Sequence, residues 1–181
     1  MKLQIIYAVL SMMVLSSCTD FELKDLGFAL KPIDGYVAFA NDGGAITPIE
    51  IEMDEDDDEI RELRIECATG TLSDITVAFS FSGSAVLGSD FLVTSAGATV
   101  TATGGTILLK KQTDPAGVND FDFVNLSIQS LTDDLTDGDK TLMITLESAV
   151  NADGKVFSVG RGGAGTTVHL KSASIKFVDV D

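Results

Sequence analysis

Ile75-Thr76-Val77-Ala78-Phe79-Ser80-Phe81 is the cleanest alternation in the chain, with a large apolar side chain at every odd position and a small one between. A period of two puts all four large residues on one face of an extended strand. Working outward, Val124, Leu126 and Ile128 alternate in the same way, as do Leu142, Ile144 and Leu146. Upstream lie Leu63, Ile65 and Cys67, preceded by Ile49, Ile51 and Met53 and by a first run from Tyr36 to Ala40. Val100 to Leu109 is expected to hold one strand bent at Gly104-Gly105, since paired glycines mark bulges. Val168 to Leu170 and Ile175 to Val178 close the chain. Turn signals such as Asp114-Pro115, Asn151-Ala152-Asp153-Gly154 and Gly160 to Gly165 separate the runs. No sustained 3.6-residue period follows the first 17 residues. The pattern predicts an all-β domain over 36–181, an immunoglobulin-like antiparallel β-sandwich of about seven strands. Their expected bounds are 36–53 (split between the sheets), 63–68, 75–82, 100–109, 124–131, 140–148 and 168–179.

The N-terminus has a different composition. Lys2 is followed by an apolar run from Leu3 to Leu15, shorter than the roughly 20 residues that span a bilayer. The run ends in Leu15-Ser16-Ser17-Cys18, small residues ahead of a cleavage point. L-S-S-C resembles the lipobox read by lipoprotein signal peptidase. Residues 1–17 are therefore expected to be a lipoprotein signal peptide, with Cys18 lipidated and holding the chain to a membrane. Several acyl chains on one residue suffice for stable anchoring, at ~0.8 kcal/mol per buried CH₂. Residues 18–35 then form a lipid-anchored tether carrying Phe21, Leu23, Leu26, Phe28 and Leu30. It serves either as a spacer or as a strand donated to a neighbour. The expected location is the cell envelope, at the outer membrane.

A formal charge of −16 argues against nucleic acid, which requires clustered Lys and Arg. With Cys18 lipidated, Cys67 has no partner for a disulfide and continues the inward phase of Leu63 and Ile65. Enzyme chemistry finds few residues. His169 is the only histidine, and no G-x-S-x-G, P-loop or Cys/His metal spacing is present. A two-carboxylate glycosidase is compatible with the abundant acids. The lack of Trp and the two Tyr count against it and against any aromatic sugar platform, although Phe121 and Phe123 could contribute one.

The acids follow a rule. In an antiparallel sandwich every second strand finishes at the same end. The first, third, fifth and seventh runs are each followed by acids: Asp54-Glu55-Asp56-Asp57-Asp58-Glu59, then Asp90, then Asp133, Asp134, Asp137 and Asp139, then Asp179 and Asp181. Two like charges ~5 Å apart repel by about 3 kcal/mol at an effective dielectric near 20. Such a cluster splays or holds protons unless a cation sits within it. Ca²⁺, which takes six to eight oxygens in flexible geometry, suits loop carboxylates better than Mg²⁺ does. For 54–59 a solvated acidic loop is the simpler reading. For Asp90, Asp133, Asp134, Asp137 and Asp179 a cation is expected.

Three segments carry a family resemblance. Gly83-Ser84-Ala85-Val86-Leu87-Gly88-Ser89-Asp90-Phe91, then Thr132-Asp133-Asp134-Leu135-Thr136-Asp137-Gly138-Asp139-Lys140-Thr141-Leu142, then Phe177-Val178-Asp179-Val180-Asp181 resemble, in order and spacing, motifs of the Calx-β domain. The resemblance covers about 63–181 and implies a Ca²⁺-binding sandwich with Asp90, Asp133, Asp134, Asp137, Asp179 and Asp181 as ligands. Lys140 stands where many members have Glu, Val180 where many have Asp, and Asp137 is shorter than the usual Glu. The family's early glutamate corresponds to Glu50, Glu52 or the 54–59 run. These departures imply weaker affinity, fewer ions, or a fold kept without calcium. The function expected is that of a non-catalytic envelope lipoprotein whose sandwich serves adhesion or assembly. The alternative is a glycan-binding lipoprotein beside an outer-membrane uptake system. Its partners are the membrane, through Cys18, and a protein or glycan of the envelope.

Overall fold

A computed structural model describes residues 35–41, 44–55, 59–68, 73–111, 122–132, 136–162 and 167–180. The expected signal peptide, Cys18, the expected tether up to 34, and Asp56–Asp58, Phe121, Asp133, Asp134 and Asp181 lie outside the described residues.

The alternating segment forms β4 (Ile75–Gly83), with Ile75, Val77 and Phe79 buried and Phe81 half-buried. It sits mid-sheet, antiparallel both to β7 (Gly104–Leu109) and to the long β9 (Lys140–Asn151). β9 is flanked on its other side by β13 (Ser172–Val178), and β13 pairs in parallel with β2 (Ile49–Asp54). The second layer runs β1 (Tyr36–Phe39), β3 (Ile60–Cys67), β8 (Asp122–Ser130) and β5 (Phe91–Val93), all antiparallel. β10 (Val156–Val159) joins the layers, pairing parallel to β1 and antiparallel to β9. The first expected strand is thus split, β1 lying in one sheet and β2 in the other. Between the layers lie the inward rows Leu63, Ile65 and Cys67, then Leu126 and Ile128, then Leu142, Ile144 and Leu146, all buried. Aromatic rings run in sequence through one end of this core. Phe81 lies 5.4 Å from both Phe79 and Phe91, and Phe91 stacks on Phe177 at 6.0 Å.

Three local features differ from the sequence expectation. Residues 99–109 are not one bent strand but a hairpin, β6 (Thr99–Thr101) and β7, with Thr101 opposite Gly104. The glycine pair serves close approach: a Cβ on Gly104 would lie 2.2 Å from the Phe79 carbonyl oxygen, and one on Gly105 2.3 Å from that of Thr99. The pairing of β4 with β9 shifts register between Ala78 and Phe79, where Ala78 faces Ser148 and Phe79 faces Leu146. Glu147 is the extra residue of this bulge, and the inward phase of β9 moves from even positions to Ala149. The last expected strand is also divided. Val168-His169 (β12) pairs with Arg161-Gly162 (β11), and β13 begins only at Ser172.

Candidate functional site

β1, β2, β4, β8 and β13 share one direction, as the pairings require, so the acidic ends of β2, β4, β8 and β13 meet at one pole. β1 starts at the opposite pole. The loop after β4 is pinned by close backbone contact. Gly83 has φ +120, and a Cβ there would lie 2.1 Å from the Thr141 carbonyl oxygen. That oxygen accepts the Ser84 and Ala85 N–H groups at 2.9 Å, and Thr141 N–H donates to Ser84 Oγ at 2.9 Å. The loop brings Asp90 back beside Val86. Asp90 is 7 % exposed, and its carboxylate accepts the Val86 N–H while its carbonyl accepts the Leu131 N–H at 3.0 Å. Its carboxyl group is thus held in place by a backbone donor within its own turn.

β8 ends against the segment before β3. Ser130 is fully buried, its Oγ accepting the Glu59 N–H and its N–H donating to the Glu59 carbonyl, both at 2.9 Å. Thr132 Oγ1 donates to the Glu55 carbonyl at 2.8 Å, so the ends of β2 and β8 are tied together.

The turn entering β9 is fastened to the end of β13 in both directions. Gly138, at φ +86, donates its N–H to Asp179 Oδ2 at 2.6 Å, and Asp179 N–H donates to Asp139 Oδ1 at 3.2 Å. Two lysines supply positive charge. Lys140 Nζ lies 2.7 Å from Asp137 Oδ2, and Lys176 Nζ lies 2.6 Å from Asp139 Oδ2. The hydrogen bond to Asp137 holds the Lys140 pKa above its ordinary value, with Asp90 and Glu55 adding attraction. The bond from Lys176 holds Asp139 below the usual carboxylate value, with the Asp179 N–H second. Asp139 in turn raises Lys176.

Of the six expected ligands, the structure describes Asp90, Asp137 and Asp179. It brings them to one pole but gives each a different donor: a loop N–H, an ammonium and a turn N–H. Among the described residues no group of three or more Asp, Glu, His or Cys side chains gathers as a metal-ligand set. A Ca²⁺ ion needs six to eight converging oxygens. At Asp137 such an ion would compete with the Lys140 ammonium. In the sequence Lys140 reads only as a departure, Asp139 as one of the pole's acids outside the ligand set, and Lys176 carries no signal of its own. The available signal was position: both lysines stand near strand ends that the alternation had already assigned to the acidic pole.

No family model matches the sequence, and no curated protein matches it either. Among solved structures, the chain is similar to the apo form of the Calx CBD1 domain at 18% identity, over 82% of this chain and 100% of that one, with a TM-score of 0.48. It is similar to the Calx CBD2 domain at 12% identity, over 81% and 87%, with a TM-score of 0.49. CBD12 from CALX1.2 gives 15% identity and a TM-score of 0.48 over 80% of this chain, which spans 44% of that one. At these identities and TM-scores neither a family nor a ligand or partner of those proteins carries over to this chain. Among the described residues, no helix is long and apolar enough to cross a membrane.

Proposed function

We propose that this chain is a non-catalytic envelope lipoprotein, anchored through Cys18, whose diverged Calx-β-like sandwich serves adhesion or assembly and presents a rigid, lysine-braced acidic pole. The observation that supports this most is the reciprocal fastening of the 136–140 turn to β13, with Lys140 and Lys176 paired to Asp137 and Asp139. In this reading the two ammonium groups supply the positive charge that Ca²⁺ supplies in the calcium reading of Asp90, Asp133, Asp134, Asp137, Asp179 and Asp181. The pole is then architectural, and its carboxylates are held in place rather than poised for proton transfer.

The tether supports a display role. Residues 18–35 reach at most ~60 Å when extended, at ~3.3–3.6 Å per residue. β1, the first described strand, starts at the pole opposite the acids. The glycan-binding alternative would use Phe123 as its platform. The Arg64 guanidinium covers that ring at 3.9 Å from the centroid, which favours the adhesion or assembly reading.

The test compares the full chain with Cys18→Ser in cells. The wild type should incorporate labelled fatty acid and stay in the membrane fraction through carbonate and salt washes. Cys18→Ser should lose the label and be released or left unprocessed. A variant that still resists the washes overturns the anchor, and turnover in a glycoside-hydrolysis screen overturns the non-catalytic assignment.

A further inference from the structure

Among the described residues, the two-residue strands of the β11–β12 ribbon aside, the sheets end on three strands, and two of them, β5 and β6, are three residues long. The third is β2. All six of its residues pair with β13, and among the described residues no strand pairs on its other side. A free edge of this length presents a row of backbone donors and acceptors that can template a further strand. Its inward residues Ile49 and Ile51 are half-buried, so a strand laid beside them would extend the core.

The other face of β2 decides what can bind. Glu50, Glu52 and Asp54 all point to that face and are exposed. A groove of about 630 Å³ runs beside them, lined by Glu50, Ile51, Glu52, Thr141, Ser174 and Lys176. The Lys176 ammonium is drawn to Asp139, and among the described residues no ion pair reaches Glu50 or Glu52. A second copy of the chain fits poorly. Pairing two β2 edges with their faces matched sets even positions opposite even positions, and all three of those are acidic. Like charges directly opposite each other destabilise a strand pair. The net charge of −16 adds to the repulsion.

We propose that the free edge of β2 accepts an extended segment of a partner protein that alternates apolar residues with Lys or Arg. The apolar residues continue the row of Ile49 and Ile51, and the basic ones lie over Glu50, Glu52 and the groove. Main-chain hydrogen bonds hold such a strand, and alternate side chains select it. The inference rests on the reading of the chain as an assembly module and names the partner's chemistry. Its test does not involve Cys18, so the two can fail separately.

The experiment uses the full chain in detergent and a labelled peptide alternating valine and lysine, long enough to pair all of β2, read by fluorescence anisotropy. The peptide should bind, while a scrambled peptide of the same composition and a version N-methylated at alternate residues should not. E50K/E52K should weaken binding by roughly tenfold or more and should instead admit a valine–glutamate peptide, with its strand content by circular dichroism unchanged. Equal binding of the scrambled or N-methylated peptide overturns the proposal. So does unchanged affinity in E50K/E52K, or a wild-type chain that pairs with itself through β2 instead.

Discussion

Lys176 and Asp139 are the residue pair on which the acidic pole turns, because together they bridge the start of β9 and the end of β13. Each alters the other's proton affinity, and the consequence can be read against pH. The raised Lys176 pKa means that the folded chain holds this proton more tightly. Its contribution is therefore complete below the ordinary lysine value, about 10.4, and is lost as pH climbs through the raised one. The lowered Asp139 pKa acts at the other end. That contribution is complete above the ordinary aspartate value, about 3.9, and is lost as pH falls through the lowered one. The difference in melting temperature between wild type and Lys176→Met should be flat between these limits, shrink towards both, and diminish with salt. Using the difference cancels the relief of general repulsion that acid brings to so acidic a chain. A difference that widens as pH falls below the carboxylate range would show that the pair does not act in this way. At this scale the sequence is least legible. Leu170 takes φ 54 although leucine carries no signal for the left-handed region. The partners of the two lysines depend on the β9–β13 register, which places Lys176 opposite Thr141 and Phe177 opposite Lys140.

Strands were more legible than their interruptions. The two-residue period identifies β3, β4, β8 and β9 because one face of each is buried and a one-residue slip would reverse every side chain. The bulge in β9 is hidden for the same reason. Leu142, Ile144 and Leu146 set an even phase, and nothing in Glu147-Ser148 announces the change to Ala149. The hairpin at 99–109 is not legible in the sequence because Gly104 and Gly105 read equally well as a bulge or as a site of close approach. The bulge has a specific consequence for stability. Beyond it, Ala149 pairs with Phe157 and Val150 with Val156, so β10 is held in register only if the extra residue is kept. Deleting Glu147 should turn Ala149 outward, break the β9–β10 ladder, and lower the melting temperature by many degrees. Glu147→Ala, which keeps the residue count, should change it far less. Equal effects from the deletion and the substitution, measured by thermal denaturation, would mean that the bulge does not set the register.

For the whole molecule, the meeting of the acidic strand ends follows from antiparallel order alone, and the observed strand directions agree with it. The means of neutralising them does not follow from order, since it depends on side chains brought together from distant segments. Asp133, Asp134 and Asp181 lie outside the described residues, so the balance between lysine and calcium at this pole is best measured on the intact chain. Ca²⁺ bound only to the folded state stabilises it by about 2.7 kcal/mol at a hundredfold excess over Kd. With roughly 2–8 °C per kcal/mol for a domain of this size, such binding is readily seen as a shift in melting temperature. The direct measurement is the melting temperature of the full chain and of Lys140→Met/Lys176→Met, each in EDTA and in millimolar Ca²⁺, with Mg²⁺ as control. If the lysines are the built-in cations, the wild type melts at nearly the same temperature in all three conditions. The double variant melts lower in EDTA and recovers part of the loss in Ca²⁺. A wild type that gains several degrees in Ca²⁺ but not in Mg²⁺, beside a double variant no less stable than wild type in EDTA, would contradict the account.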